Sequence, residues 1–390
     1  MTHPRKRYAL SLIKERMAYS PIIAIQGPRQ CGKSFLAKKL LAGDRTRAVY
    51  QTFDSASERS FAAKNPDSYL AQYSDADPLI IDEAQKVPDI FDALKLAVDE
   101  RRRPGQFVIL GSTEFSQLAM IRESLTGRLS RIRLYPFTLA ESRHQPFHRT
   151  NTKSGINFDT KIPRADLLRY LERGGFPGIF TANNKSYRTS LLRDWIDLTV
   201  ERDVHTFPRI KADSSLARTI IEGIAKLEHP DLANLANYTG RNARTVARHL
   251  EILETLFVIT KIPPHPLGTG KPIYLLCDVG LLGIYNANLD KLLRTFAINE
   301  LLTKNAYADT SRQYYYYRNS KGSLIDIIEV DGKNLTAIKI LPEECFDARQ
   351  FMILTALKDK APHARLLCLG PKPYEMKSEG IKIVRWESVT

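Results

Sequence analysis

The run Ile22-Ile23-Ala24-Ile25-Gln26-Gly27-Pro28-Arg29-Gln30-Cys31-Gly32-Lys33-Ser34 limits the fold more than any other stretch, because a short apolar segment opens directly into Gly-x-x-x-x-Gly-Lys-Ser. Ile22 to Gln26 has the length and β-branched content of a buried strand. Lys33 to Ala42 carries good helix formers at helical spacing, so the loop between them delivers a bound phosphate to a helix N-terminus. The residue types suit that task. Gly27 and Gly32 let the backbone fold around a pyrophosphate, Lys33 reaches the β- and γ-phosphates, and the Ser34 hydroxyl sits on Mg²⁺. Gly27, Pro28, Arg29, Gln30, Cys31, Gly32, Lys33 and Ser34 are therefore the expected nucleotide-binding residues, with ATP and Mg²⁺ as the expected ligands. A glycine-rich turn without nucleotide is the alternative, but a chance match would lack the flanking strand and helix.

Further apolar strands follow in alternation with helical segments, the pattern of an α/β domain with a parallel sheet. Residues 8–20 read as an amphipathic helix leading into the P-loop strand, and Arg47 to Phe53 as another strand. Asp77-Pro-Leu-Ile-Ile-Asp-Glu83 ends an apolar strand in two acids. Behind a P-loop, Asp82 is expected to hold Mg²⁺ and Glu83 to orient and deprotonate an attacking water. A solvated strand end is the alternative. Phe107-Val-Ile-Leu-Gly111 is a third strand ending in Ser112-Thr113. A polar side chain there can touch the γ-phosphate or the water, which makes Ser112 the sensor candidate and Thr113 its reserve; turn-forming hydroxyls are as common. In Ser124-Leu-Thr-Gly-Arg128-Leu-Ser-Arg131-Ile-Arg133, Arg128 is a candidate to bring positive charge to a phosphoryl transition state, in cis or from a neighbouring subunit. A surface arginine is the other reading.

A chain of 390 residues, 43% hydrophobic and 26% charged, is ordinary globular composition with room for two or three domains. Its formal charge of +15, from 58 Lys and Arg against 43 Asp and Glu, raises the expectation of a polyanionic partner, with a solvated basic surface as the alternative. Cys31, Cys277, Cys345 and Cys368 lie far apart without Cys-x-x-Cys spacing, so neither a disulfide framework nor a zinc site is indicated. The basic N-terminus lacks a following apolar region and no run reaches the length of a membrane span, so a cytoplasmic protein is expected, with no membrane partner.

By residue pattern the chain resembles the prokaryotic AAA-type ATPases that carry a C-terminal domain of unknown function (DUF4143). The motifs are Gly-Pro-Arg-Gln-Cys-Gly-Lys-Ser34, Ile-Asp-Glu-Ala-Gln-Lys-Val-Pro88, Leu-Gly-Ser112 and Leu-Thr-Gly-Arg128, continuing through Glu172-Arg-Gly-Gly-Phe-Pro177, Trp195, Glu201-Arg-Asp203 and Asp278-Val-Gly-Leu281. The resemblance implies a three-layer α/β/α AAA-type P-loop domain, then a winged helix-turn-helix, then a restriction-endonuclease-like α/β domain. The expected boundaries are 1–144 for the ATPase domain, 145–162 for a polar linker, 163–290 for the helical and winged-helix domain, and 291–390 for the nuclease-like domain.

Residues of the second half support parts of this layout on their own. Asp231 to Asn237, the turn Tyr238-Thr-Gly240, and Asn242 to Leu253 form a helix-turn-helix pattern. Val246, Leu250 and Leu253 are expected to face inward, while Arg241, Arg244 and Arg248 share an outer face suited to DNA. Phe257 to Ile262 and Lys271 to Leu276 are the strands of a wing. Protein contact is an equal alternative for such a module. Further on, Asp326 and Lys339 fall where a restriction-type nuclease keeps a metal-binding acid and a lysine, but the position two before the lysine is Ala337. Glu329 points to the opposite face from Asp326. Glu300, on the preceding helix, is an acid that could migrate into the site. A degenerate nuclease fold without cleavage is expected, and Tyr314 to Tyr317 are expected as a strand with partly exposed aromatics.

The sequence thus predicts an ATPase that couples its nucleotide cycle to DNA or another macromolecule, with homo-oligomerisation an open question. The alternative is a nucleotide-dependent switch that binds protein instead of DNA. A small-molecule kinase fits less well, because Glu83 beside Asp82 suits activation of water.

Overall fold

The computed structural model describes residues 5–41, 47–115, 125–146, 156–157, 161–206, 213–343, 349–376 and 380–390. Ala42, Ser124, Cys345 and most of the expected 145–162 linker lie outside the described residues. The chain divides into two compact units, 1–137 with 255–257, and 138–254 with 258–390. None of the described helices is long and apolar enough to cross a membrane.

The first unit is built on five parallel strands: β1 (Ile22–Gln26), β2 (Val49–Thr52), β3 (Leu79–Asp82), β4 (Phe107–Gly111) and β5 (Leu129–Arg133), in the order β2-β3-β4-β1-β5. All residues of β1, β3 and β4 are buried. Their near-continuous Ile, Leu and Val runs are what a parallel sheet covered on both faces requires. The Ile90–Glu100 helix turns Ile90, Phe91, Leu94 and Val98 onto that sheet at helical spacing. They join Phe53, Tyr69, Ile81 and Ile109 in one core. The expected P-loop helix differs in detail: Lys33–Phe35 is α-helical, but Leu36–Leu41 widens into a π-helical stretch.

The second unit combines helices with two sheets. Ser214–Lys226, Leu232–Thr239 and Ala243–Thr255 form three helices, followed by the antiparallel pair β6 (Ile259–Ile262) and β7 (Ile273–Leu276). Asp231 caps the second helix through Asn234 N–H at 2.8 Å, Gly240 ends it in the left-handed conformation, and Asn242 caps the third through Thr245 N–H at 2.8 Å. The sequence reading missed the Ser214–Lys226 helix. The six-stranded sheet comprises β8 (Gln313–Arg318), β9 (Leu324–Asp331), β10 (Asn334–Ile340), β11 (Arg365–Gly370), β12 (Tyr374–Met376) and β13 (Ile381–Arg385), ordered β12-β13-β11-β10-β9-β8.

Apart from 255–257, residues 163–290 and 291–390 lie within the second compact unit, where the loop joining β6 to β7 links them. Instead of projecting freely, it lies along the edge of β8. His265 N–H donates to Tyr316 O at 2.7 Å, Tyr316 N–H to Pro263 O at 3.1 Å, and Thr269 N–H to Arg318 O at 2.8 Å, while the Tyr316 hydroxyl donates to Lys271 O at 2.6 Å. This docking covers an edge strand that would otherwise present unpaired amides. It also corrects the exposed-aromatic expectation: Tyr314, Tyr316 and Tyr317 are buried, and only Tyr315 is half-buried. Within the linker region, Ile156 is buried and Asn157 N–H donates to Ser388 O, so this part of the segment is docked, not free.

The glycine-rich turn after Arg173 and the Asp278-Val-Gly segment meet. Asp278 Oδ2 accepts Gly175 N–H at 2.6 Å and Oδ1 accepts Gly280 N–H at 2.8 Å. At Gly174 an added Cβ would come within 2.0 Å of that carboxylate. Burial pushes the Asp278 carboxyl up to about 6 against the two amides. These residues, part of the family resemblance, therefore form an internal clasp.

Glu300, within the Leu289–Ala308 helix, does not migrate toward Asp326. Its Oε1 accepts Leu139 N–H at 2.7 Å, while Oε2 is buried with no hydrogen bond. Burial pushes its carboxyl from 4.5 up to about 8. A raised folded-state value favours the protonated form, so Glu300's contribution to stability is complete below about 4.5 and lost as pH rises to about 8. Glu300→Gln, which keeps the acceptor but cannot ionise, is expected to flatten the decline of the urea midpoint through that window. Parallel declines in parent and variant would show that Glu300 does not titrate there.

Candidate functional site

Sheet order decides what stands beside the P-loop. Because β4 separates β1 from β3, with Gln26 opposite Gly111 and Ile81 opposite Ile109, the C-terminal ends of all three strands share one edge. The P-loop, Asp82-Glu83 and Ser112-Thr113 emerge there side by side, where ligands bind in open parallel sheets.

Close packing shapes the loop. An added Cβ on Gly27 would lie 2.1 Å from Leu134 O, and Gly32 has φ 97°, so both positions need glycine. Lys33 is 6% exposed and its ammonium turns inward, donating to Gly27 O at 2.8 Å and Pro28 O at 2.9 Å. Arg7, which the sequence reading missed, braces the loop from outside. Its guanidinium donates to Cys31 O at 2.7 Å and Tyr135 O at 2.6 Å, and stacks 4.9 Å from the Phe137 ring centroid.

Ser34 and Asp82 come together across the strand edge. The Ser34 hydroxyl donates to Asp82 Oδ2 at 2.6 Å, and the Tyr50 hydroxyl donates to the same oxygen. Asp82 Oδ1 accepts Glu83 N–H at 3.0 Å. Burial, and then the Asp82 carboxylate, raise the Tyr50 pKa, so its hydroxyl remains a donor. A hydroxyl and a carboxylate on one point form a hard-oxygen donor set of the kind Mg²⁺ takes.

Glu83 sits in the left-handed region at φ 56° and ψ 41°, unusual for a non-glycine residue. Gln85 holds its carboxylate: Nε2 donates to Glu83 Oε2 and, at 3.3 Å, to Ser112 Oγ, while Ser112 Oγ donates to Glu83 Oε2 at 3.3 Å. Gln85 Oε1 is buried with no hydrogen bond. Gly111 leaves the room for this, since an added Cβ would meet Gln85 Oε1 at 2.9 Å. Ser112 thus lies beside Glu83 at the strand end, and Gln85 is a neighbour of both that the sequence reading overlooked. Thr113 contributes its carbonyl, which accepts Gln26 Nε2 at 2.7 Å.

Arg128 needs correction as a group acting on its own chain's phosphate. Its carbonyl accepts Ile22 N–H at 3.2 Å, so it marks the opposite end of β1 from the P-loop, about 13 Å away at the rise of a strand. Its guanidinium is engaged by Asp99 at 2.6 and 2.9 Å. Hydrogen bonding from Arg128 lowers the Asp99 pKa.

In the second unit Arg241, Arg244 and Arg248 are exposed, while Val246, Leu250 and Leu253 are buried. Arg241 lies 3.8 Å from Asp213. Asp326 is fully buried and carries cations from the chain itself: Arg294 Nε at 2.9 Å and Lys339 Nζ at 3.1 Å, with Ile340 N–H donating at 2.8 Å. Ala337 is buried in the core beneath the Arg349–Lys358 helix. The Tyr314 hydroxyl donates to Glu329 on the other face of the sheet.

Comparison with known proteins adds sequence relations for both halves. Residues 19–142 match the family model described as an AAA domain, and residues 164–291 match a domain of unknown function, DUF8612, a different one from the DUF4143 of the resemblance. The uncharacterized proteins Mb2031c of Mycobacterium bovis and Rv2008c of Mycobacterium tuberculosis are each 26% identical over 355 residues, covering 84% of this chain and 72% of theirs. Among solved structures, the Walker-type ATPase PABY2304 of Pyrococcus abyssi aligns over 73% of this chain and 99% of its own at 12% identity and TM-score 0.42. AMPPCP-bound DnaA from Aquifex aeolicus aligns over 65% and 89% at 17% identity and TM-score 0.32. Scores at this level establish no shared fold. Residues 19–142 therefore stand, by sequence and by their parallel sheet around a P-loop, as an ATPase-type P-loop domain of AAA kind.

Proposed function

We propose that the protein hydrolyses ATP with Mg²⁺ and couples that cycle to DNA through its second unit. The observation that carries the reading is the meeting of Ser34 and Asp82 at one oxygen, beside a Glu83 carboxylate held by Gln85 and Ser112. Ser34 and Asp82 are the residues to hold Mg²⁺, which when bound neutralises charge on the β- and γ-phosphates. Lys33 exchanges its bonds to Gly27 and Pro28 carbonyls for phosphate oxygens. Glu83 takes the proton of the attacking water, and Ser112 with Gln85 fixes the carboxylate's direction until the water is in place. The AAA-domain match over these residues supports the same chemistry.

In the second unit the three helices and the β6-β7 pair have the order of a winged helix, with Arg244 and Arg248 on the exposed face of the third helix. We read the six-stranded sheet, with Asp326 on β9 and Lys339 on β10, as a non-cleaving relative of the restriction-type nuclease fold: Arg294 and Lys339 pair with Asp326, and Ala337 supplies no second carboxylate. Docking of the 263–271 loop on β8 favours a second reading, in which this module contacts protein, because a wing bonded along a strand is withdrawn from a groove.

A salt titration separates the two. With Arg241, Arg244 and Arg248 replaced together by alanine, DNA affinity is expected to fall. The slope of log affinity against log salt should lessen by roughly 0.9 for each phosphate contact removed. Fluorescence anisotropy on a labelled duplex reads both. Unchanged affinity and slope would assign the helix to protein contact or to structure.

A further inference from the structure

Beside the Asp326 ion cluster, the second unit holds a cavity of about 360 Å³ whose wall includes Lys226, Tyr285, Asn288, Asp290, Lys291 and Arg294. Lys291 is 6% exposed, and its ammonium donates to the Leu227 carbonyl. Among the described residues no carboxylate lies within ion-pairing distance of it. Two acids also line the cavity: Asp290, which accepts from Arg294 at 2.8 Å, and Glu228, whose side chain is mostly exposed and so largely screened by solvent. Lys226 is paired with Glu222 at 2.5 Å. A buried ammonium whose partner is one carbonyl is an incompletely compensated charge, and an anion entering the cavity would complete it.

The remaining wall supplies donors. The Leu289–Ala308 helix begins here, and its N-cap Asn288 uses Oδ1 to accept Lys291 N–H at 2.9 Å, which leaves the amide hydrogens of its side chain to donate. Burial raises the Tyr285 pKa, so its hydroxyl stays protonated. Arg294 closes the side toward Asp326. We propose that this cavity binds a phosphate monoester, held by Lys291 with Asn288, Tyr285 and the helix N-terminus around it. A dianion matches an ammonium plus a helix end better than a carboxylate does, and the volume leaves room for the group esterified to it. Burial, followed by repulsion from Arg294, brings Lys291 down to about 7, with Asp290 and Glu228 acting in the opposite direction. Such an amine takes up a proton when the anion arrives.

The proposal does not rest on ATP hydrolysis, and its test reads Lys291 itself. The intact protein, with its P-loop saturated by MgADP, is treated with acetic anhydride near neutral pH, and acetylation is followed peptide by peptide. Inorganic phosphate is expected to slow acetylation of Lys291 by about fivefold, the fall in free amine at pH 7 when a pKa of about 7 rises by one unit, with exposed lysines unchanged. Acetate at equal ionic strength is expected to leave it fast. No protection by phosphate, or equal protection by acetate, would overturn the proposal. A 5′-phosphorylated oligonucleotide that protects where its 5′-hydroxyl counterpart does not would make the phosphate that of a strand end. Protection by inorganic phosphate with neither oligonucleotide would make it that of a small molecule. Lys291→Met, which keeps the apolar stem, should fold and lose the rise in Tm that phosphate gives the parent under MgADP.

Discussion

Glu83→Gln is expected to bind ATP as tightly as the parent and to hydrolyse it about 10²–10⁴ times more slowly, the usual worth of a positioned general base. The substitution preserves size and the acceptor toward Gln85 and Ser112 but removes the proton acceptor. Lys33→Ala should fail earlier, at binding, because it removes the ammonium seated against the Gly27 and Pro28 carbonyls, where it can neutralise phosphate charge. Gln85→Ala is expected to fall between them, with kcat lowered and KM little changed, since it leaves the phosphates' partners intact and frees the Glu83 carboxylate to turn. Equal turnover by Glu83→Gln and parent would remove Glu83 from the role. A rise in KM alone for Gln85→Ala would make Gln85 part of the binding surface.

Arg294→Met is expected to destabilise the protein by roughly 3–5 kcal/mol, the cost of stripping one partner from a buried ion pair. Burial opposes ionisation of Asp326, but Lys339, Arg294 and the Ile340 amide outweigh it and hold its carboxyl below the usual carboxylate range. Without Arg294 that carboxylate keeps one cation, and Asp290 also loses its 2.8 Å partner. The double variant Arg294→Met with Asp326→Asn should recover much of the loss, because the uncompensated charge goes too. Urea unfolding of the four proteins gives the coupling. A single-variant loss under about 1 kcal/mol, the range of exposed pairs, would show that the cluster is not what holds the strands to the helix. The same cluster implies no DNA cleavage with Mg²⁺ or Mn²⁺; cleavage abolished by Asp326→Ala would refute that.

What could be read in advance follows from how local the chemistry is. Gly27, Gly32, Lys33 and Ser34 lie within one turn of chain, and the apolar strands before Asp82 and Ser112 announce their ends, so the site's skeleton was legible. Gln85 was not, because its meaning depends on β3 and β4 ending side by side and on the space above Gly111. Arg7 is remote in sequence from the Cys31 carbonyl it holds, and nothing in a basic N-terminal segment signals that contact. That Arg128 stands away from its own chain's P-loop was hidden for a related reason: a residue preceding a parallel strand starts at the edge opposite the P-loop, and the strand order that says so is long-range information. In the second unit the helix-turn-helix announced itself through Asp231, Gly240 and Asn242, each acting on neighbours within a few residues. The docking of the 263–271 loop on β8 pairs residues about fifty apart, so the burial of Tyr314, Tyr316 and Tyr317 could not be foreseen from their spacing.

ATP turnover by the purified protein with Mg²⁺, measured alone and with single- or double-stranded DNA, tests the central claim most directly. The account predicts hydrolysis well above that of Glu83→Gln, with a rate that changes when DNA is added and changes less in the triple arginine variant. Turnover no faster than that of Glu83→Gln under every condition, despite normal nucleotide binding, would contradict it and leave the P-loop as a binding switch.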